Sequence, residues 1–196
     1  GLSLVMADGT FRRLRTRWFS EINRFRFENR EIIVSGDYNY PPYDYLDENG
    51  NPAGFNTALT KAIAEEMNLL VDIRLQPWAK AREDLKKGRV DLIQGMYYSN
   101  ERDETFDFSP SYTKVRHVFV TRKADTLPAG INDLEGYSIA VQENDIMHDL
   151  IRQYGYDDNQ ISTVETQDKA LKGLVEGNYD VALVGQVQAH YWMEKY

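Results

Sequence analysis

Leu85-Lys86-Lys87-Gly88-Arg89-Val90-Asp91-Leu92-Ile93, continuing through Gln94-Gly95-Met96 to Glu101-Arg102-Asp103 and Phe106-Asp107-Phe108-Ser109, is the stretch that decides the fold. Its grammar is a helix that ends at a glycine, an aspartate three residues later, and a short apolar run that reads as a buried strand. Glycine suits the residue just past a helix, which commonly turns left-handed. The same grammar returns in Leu174-Val175-Glu176-Gly177-Asn178-Tyr179-Asp180-Val181-Ala182. Strands alternating with helices of this length imply a parallel α/β sheet. Meeting the unit twice implies two such sheets; the competing reading is coincidence between two ordinary strand–helix units.

Working outward, Glu31 to Gly36 reads as a strand, Tyr40-Pro41-Pro42-Tyr43 as a rigid turn, and Asp47-Glu48-Asn49-Gly50 as a hairpin signal. Asn56 is a good N-cap for a helix in which Phe55, Ala58, Leu59, Ala62, Ile63 and Met67 form one apolar stripe. A strand over 71–75 and a helix over 79–87 lead into the first copy of the repeated unit. Val115 to Thr121 reads as a strand, and the polar stretch from Lys123 to Pro128 as the crossing between lobes. Strands over 137–142 and 179–184, with helices over 146–154 and 167–176, make the second lobe. Thr10 can cap a helix whose apolar residues Phe11, Leu14, Trp18, Ile22 and Phe25 recur at spacings of three and four. The division expected is 1–30 as a tail helix and linker, 31–122 as lobe one, and 123–196 as lobe two.

The chain of 196 residues can bury a proper core. Its 31 acidic and 23 basic residues give a formal charge of −8, which argues against a nucleic-acid partner. The first thirty residues carry seven arginines against Asp8, Glu21 and Glu28, a local +4. A basic amphipathic segment of this kind is either a membrane-surface helix or one that docks on an acidic body; docking is favoured. No cysteine is present, so neither a disulfide framework nor thiolate chemistry enters. No apolar run approaches the ~18 residues of a membrane span. No leader precedes Gly1, so any export signal or anchor is expected to have been removed.

Catalytic signatures are absent. There is no Gly-x-Ser-x-Gly elbow, phosphate-binding loop or dinucleotide fingerprint. His117, His148 and His190 show no metal-ligand spacing. No cofactor is implied, and the domain is not read as an enzyme. Open α/β sheets instead bind ligands at the carboxyl ends of their strands. Those ends here are Asp37–Tyr40, Gln76–Trp78, Gln94–Tyr97, Gln142–Asp145 and Gly185–Gln186. Tyr40 and Trp78 can sandwich the apolar part of a solute or stack on a cation, or serve as core aromatics. Gly95 lets backbone amides approach an oxyanion. Arg102 offers a planar fork that grips a carboxylate through two parallel hydrogen bonds and never loses its charge; the alternative is one more surface arginine.

Residues 31–196 resemble the bacterial extracellular solute-binding proteins of family 3, the polar amino-acid type. The likeness runs through Tyr40-Pro41-Pro42-Tyr43, the turn at Asp47–Gly50, Gly54-Phe55-Asn56 and Trp78. It continues through Gly88-Arg89-Val90-Asp91, Glu101-Arg102 and Phe106-Asp107-Phe108-Ser109, then Leu134 to Gln142. It implies a two-lobed periplasmic-binding-protein type II (Venus-flytrap) fold, incomplete or permuted, that closes on a small carboxylate or amino acid. It implies that Arg102 clamps the carboxylate, that Tyr40 and Trp78 flank the side chain, and that Asp37 lies at the pocket edge. Met96, Tyr97, Asn144, Asp145 and Gly185 complete the candidate site.

Three positions depart from the family pattern. Tyr97 stands where a serine or threonine is usual, and Gly185 where an aspartate usually meets the α-ammonium. Glu143-Asn144-Asp145 replaces Gly-Ser/Thr-Thr. Either Asp145 or Glu143 supplies the missing charge, or the solute lacks an amino group, or there is no solute. Leu4 to Phe19 resembles the family's closing tail helix placed at the front, as in a tandem array or a permuted module, so an adjacent module or a second copy is an expected partner. The resemblance implies a periplasmic sensor module of a membrane-bound histidine kinase. The alternatives are a free binding protein of an ABC importer and a binding-like domain of a membrane-bound murein-cleaving enzyme.

Overall fold

Two short runs in which every residue is buried, Ile139–Gln142 and Val181–Gly185, set the architecture of the C-terminal half. Continuous apolar runs of this kind belong to strands covered on both faces, as in parallel sheets flanked by helices. The computed structural model describes residues 31–123 and 125–195. The helix expected over residues 10–25, and the tail it belongs to, lie outside them.

The strands in chain order are β1 (Ile32–Asp37), β2 (Asn39–Tyr40), β3 (Asp44–Leu46), β4 (Pro52–Ala53), β5 (Val71–Gln76), β6 (Leu92–Ile93), β7 (His117–Val120), β8 (Ile139–Gln142), β9 (Ile161–Val164) and β10 (Val181–Gly185). The helices are α1 (Phe55–Met67), α2 (Trp78–Lys86), α3 (Asn100–Asp103), α4 (Ile146–Gln153), α5 (Gln167–Val175) and α6 (Gln186–Met193). One sheet has the parallel order β5-β1-β6 and is joined by the small antiparallel meander β2-β3-β4. The second has the order β7-β10-β8-β9, parallel except for β7.

The repeated unit is real in space. Gly88 and Gly177, just past α2 and α5, have φ of 66° and 83°, where only glycine is unstrained. The aspartates that follow do the same job in each sheet. Asp91 accepts from the Ile33 amide while its own amide donates to the Ile33 carbonyl. Asp180 accepts from the Ser138 amide and hydroxyl while its amide donates to the Ser138 carbonyl. Each aspartate thus pins the strand it opens, β6 or β10, to the neighbouring strand.

Alternation along β8 and β10 divides the second core. Ile139, Val141, Val181 and Leu183 pack with Met147 and Ile151 of α4 on one face. Ala140, Ala182 and Val184 pack with Ala170, Leu171 and Leu174 of α5 on the other. Phe119 joins the first cluster and Val118 and Val120 the second, so β7 is part of the second lobe. This corrects the expected division: the chain leaves the first sheet before His117, not over 123–128, because β7 finds its partner in β10.

Two further expectations about α1 change. Asn56 is not its cap but lies inside its first turn, buried, donating to Asp44 and accepting from Tyr112. The apolar stripe does not face a covered core. Phe55, Ile63 and Met67 are half exposed, and Leu59 and Ile63 line a groove of about 550 Å³ bounded by Leu92, Ile93 and the segment 105–109. No described residue covers it.

Leu183 is fully buried in the central strand of the second sheet. Truncation there removes transfer energy and leaves a cavity, so Leu183→Ala should cost about 3 kcal/mol, read as a lowered urea midpoint. A loss near zero would contradict the packing described.

Candidate functional site

The carboxyl ends of β1, β5 and β6 face those of β8 and β10 across a cleft, and the two walls touch. Gln142 at the end of β8 donates to Asp37 at the end of β1 at 2.5 Å, and to the carbonyl of Glu165 at 3.0 Å. At the rim, Tyr38 donates to Glu165 and Asn39 to Asp168. On the far side Gln188 of α6 reaches the carbonyl of Pro41, beside a cis peptide between Pro41 and Pro42.

The densest contact gathers on Asn144. This residue sits in the left-handed region at φ 58°, which asparagine tolerates better than most residues, and its amide donates to His148 Nδ1. Its carbonyl accepts from Trp78 Nε1 at 2.8 Å, Arg82 Nη1 at 2.5 Å and Arg102 Nη2 at 3.2 Å. Arg102, held on the short helix α3 that Ser99 caps, is 2% exposed. Its Nε and Nη2 donate to Asp149 Oδ2 at 3.0 and 2.7 Å, and Nη1 to the Tyr97 carbonyl at 3.3 Å. Arg82 lies 3.6 Å from the same Asp149 oxygen. The guanidinium expected to await a solute carboxylate therefore holds a carboxylate of the opposite lobe.

Between the walls remains a void of about 20 Å³ lined by Asp37, Tyr40, Asp44, Trp78, Gln94, Gly95, Tyr97, Gln142 and Asp145. That is room for about one water molecule. The hydroxyls of Tyr40 and Tyr97 meet at 2.5 Å. A side chain at Gly95 would strike Asn56 Nδ2 at 2.6 Å and Asp44 at 3.2 Å. One at Gly185 would strike Gln188 Oε1 at 2.0 Å and the Tyr40 hydroxyl at 2.8 Å. Tyr40 and Gln188 thus fill the space that an aspartate at 185 would need.

Of the ten candidate residues, six line this void, Arg102 and Asn144 form the contact beside it, and Gly185 backs Tyr40. Met96 lines an outer cavity of about 350 Å³ with Tyr43, Tyr98, Phe108 and Tyr112, which shares Tyr40, Gly95 and Tyr97 with the void. Asp37 and Trp78 are buried, at 5% and 6% exposure, not set at an edge or in an open cleft. Sequence reading missed Asp44, Gln188, Arg82 and Asp149; it placed Gln94 and Gln142 at the binding ends of their strands but gave neither a role. For Asp149 a signal existed: it follows Asp145 by four residues, which puts both acids on one face at the start of α4.

Burial dominates the electrostatics. It raises Asp37 to about 7, against hydrogen bonds from Asn39 and Gln142. It raises Asp44 to about 7, against donors from Asn56 and Gln94. Asp145, which accepts from the Ile146 amide and from Gln167, is also raised by burial, with His117 pulling the other way. Burial lowers His117, whose ring packs edge-on against Tyr97 at 4.9 Å.

A sequence profile of the bacterial extracellular solute-binding proteins, family 3, matches residues 32–182. A solved structure described as a histidine kinase sensor domain with similarity to periplasmic binding proteins is 39% identical and superposes with a TM-score of 0.80, over 85% of this chain and 72% of that one. The arginine-binding extracellular protein ArtP of Bacillus subtilis (strain 168) is 27% identical over 82% of this chain and 63% of its own length. The membrane-bound lytic murein transglycosylase F of Actinobacillus succinogenes is 24% identical over 86% of this chain but only 36% of the enzyme. The chain thus spans less than two thirds of these curated relatives. Among the described residues no helix is long and apolar enough to cross a membrane.

Opening the cleft would return Asp37 to water and towards the ordinary value near ~4. The closed form then binds a proton that the open form releases. The stabilisation is fully present below about pH 4 and is lost as pH rises through about 7. Asp145 has the same sign; His117 opposes both, because its burial disfavours the charged ring as pH falls. The radius of gyration from solution scattering should therefore grow between about pH 4 and 8 (the span from the ordinary carboxylate value through the raised Asp37 value), and Asp37→Asn should flatten that rise. An unchanged profile in the variant would refute the assignment.

Proposed function

We propose that this chain, which belongs to the bacterial extracellular solute-binding proteins of family 3, is the periplasmic solute-sensing module of a membrane-bound histidine kinase. What carries the reading is the 39% identity to a histidine kinase sensor domain across 85% of the chain. The geometry supports it. Two α/β lobes meet at the carboxyl ends of their strands, and the polar contacts between them come from side chains and the carbonyls of Asn144 and Pro41, which separate without unfolding either sheet.

The solute is one of amino-acid size, a small carboxylate or an amino-acid-like molecule, taken between Tyr40, Trp78 and Tyr97 on one wall and Asn144 and Asp145 on the other. Signalling follows from an equilibrium between closed and open lobes. A solute moves that equilibrium only by its difference in affinity for the two states, and a swing from 1:99 to 99:1 needs about 5.5 kcal/mol of that difference. A free binding protein serving an importer is the second reading. It rests on the likeness to ArtP, at 27% identity.

In the full-length receptor, Arg102→Ala and Asp149→Ala break the same inter-lobe contact and should shift kinase autophosphorylation in the same direction, by several-fold. Removing one partner of a buried pair costs about 3 kcal/mol, ample to repopulate the open form. A kinase indifferent to both variants, or a full-length gene encoding no kinase, would overturn the sensor reading.

A further inference from the structure

Arg102 is one of the largest fully buried side chains of the described residues, and it carries a charge into the lobe interface. A buried guanidinium is tolerable only with a carboxylate and further acceptors around it. Here the carboxylate is Asp149, engaged through Nε and Nη2 on one oxygen. The acceptors are the carbonyls of Tyr97 and Asn144. Arg82 adds a second cation to the same oxygen. Every element of this cluster except Asn144 and Asp149 comes from the first lobe. What the second lobe presents is a carboxylate and a carbonyl, the oxygen set that a small acid would present on entering the cleft.

We propose that Asp149 is the module's own carboxylate ligand: it occupies the Arg102 seat, closes the lobes without a solute, and admits a solute carboxylate only by being displaced. The proposal rests on the sensing reading above and deepens it. Asp149 then determines specificity, because an incoming acid must outcompete a carboxylate already tethered to the protein, at the high effective concentration that tethering confers. Solutes that bind through other groups escape that competition. The void of about 20 Å³ left beside the seat agrees with a cleft that is already filled. So does Tyr40, which lies against Gly185 where a longer side chain would not fit.

Chemical rescue tests this directly. Asp149 keeps 18% of its side-chain exposure, so a hole left by truncation can be reached from solvent. In Asp149→Ala the solute-free chain should expand in solution scattering and melt at a lower temperature. Acetate at tens of millimolar, compared with chloride at equal ionic strength, should restore both values. The unsubstituted protein should not respond to acetate, and the Arg102→Ala/Asp149→Ala double variant should not be rescued. If Asp149→Ala fails to fold, Asp149→Asn keeps the shape and removes the charge. That variant should bind arginine at least tenfold more tightly than the unsubstituted protein, with agmatine, arginine without its carboxylate, unchanged. Rescue that needs no Arg102, or a solute-free Asp149→Ala chain as compact as the parent, would overturn the proposal. The kinase readout would still decide the sensing reading separately.

Discussion

A single backbone oxygen, the carbonyl of Asn144, keeps the two halves of this protein in register. Three donors from the first lobe, on Trp78, Arg82 and Arg102, converge on it. It can receive them only because Asn144 adopts a left-handed backbone, a conformation that costs a non-glycine residue on the order of 1 kcal/mol. The cost is offset by satisfying an indole and two guanidinium groups at once. Two cations facing one carbonyl would repel each other, and Asp149, one turn into α4, offsets part of that repulsion. Beside this contact lie the buried Asp37–Gln142 bridge between the lobes, the hydroxyl pair of Tyr40 and Tyr97 within the first lobe, and the small void.

That contact exists because the same strand–helix unit was used twice. In each lobe a left-handed glycine ends a helix and an aspartate pins the next strand to its neighbour. The two parallel sheets thus aim their carboxyl ends at a common space. Strand ends and helix starts there take side chains as backbone partners, Gln167 for the Gly185 amide and His148 for the Asn144 amide, so polar groups collect, and burial then pushes the carboxyls of Asp37, Asp44 and Asp145 upward. Closure and proton uptake are consequently linked.

The repeated Gly-x-x-Asp unit, the strand runs and the presence of two sheets were legible in the sequence, since they rest on local periodicity and turn chemistry; the two-lobed closing fold was implied by the family resemblance. Nine of the ten residues chosen for the site do gather at the cleft, because strand ends are predictable once the sheet is known. The contacts that decide its behaviour were not legible. Asp149 reads as a solvated helix acid until α4 is seen against α3. Gln142 reads only as a strand end until the opposite wall is in place, and Gln188 falls in no element read from the sequence. The position of β7 was misjudged for the same reason: a four-residue apolar strand fits either sheet, and only the pairing with β10 chooses. For α1 the apolar stripe was seen correctly, but periodicity does not say what covers it.

The central claim is that the solute-free lobes hold themselves shut. The chain contains no cysteine, so Lys61→Cys on α1 and Lys172→Cys on α5, both exposed, give a unique spin-label pair across the lobes. Pulsed dipolar spectroscopy of that pair without solute should show one narrow distance distribution, which Arg102→Ala broadens and lengthens. A broad distribution in the unsubstituted background that collapses only when a solute is added would contradict the account.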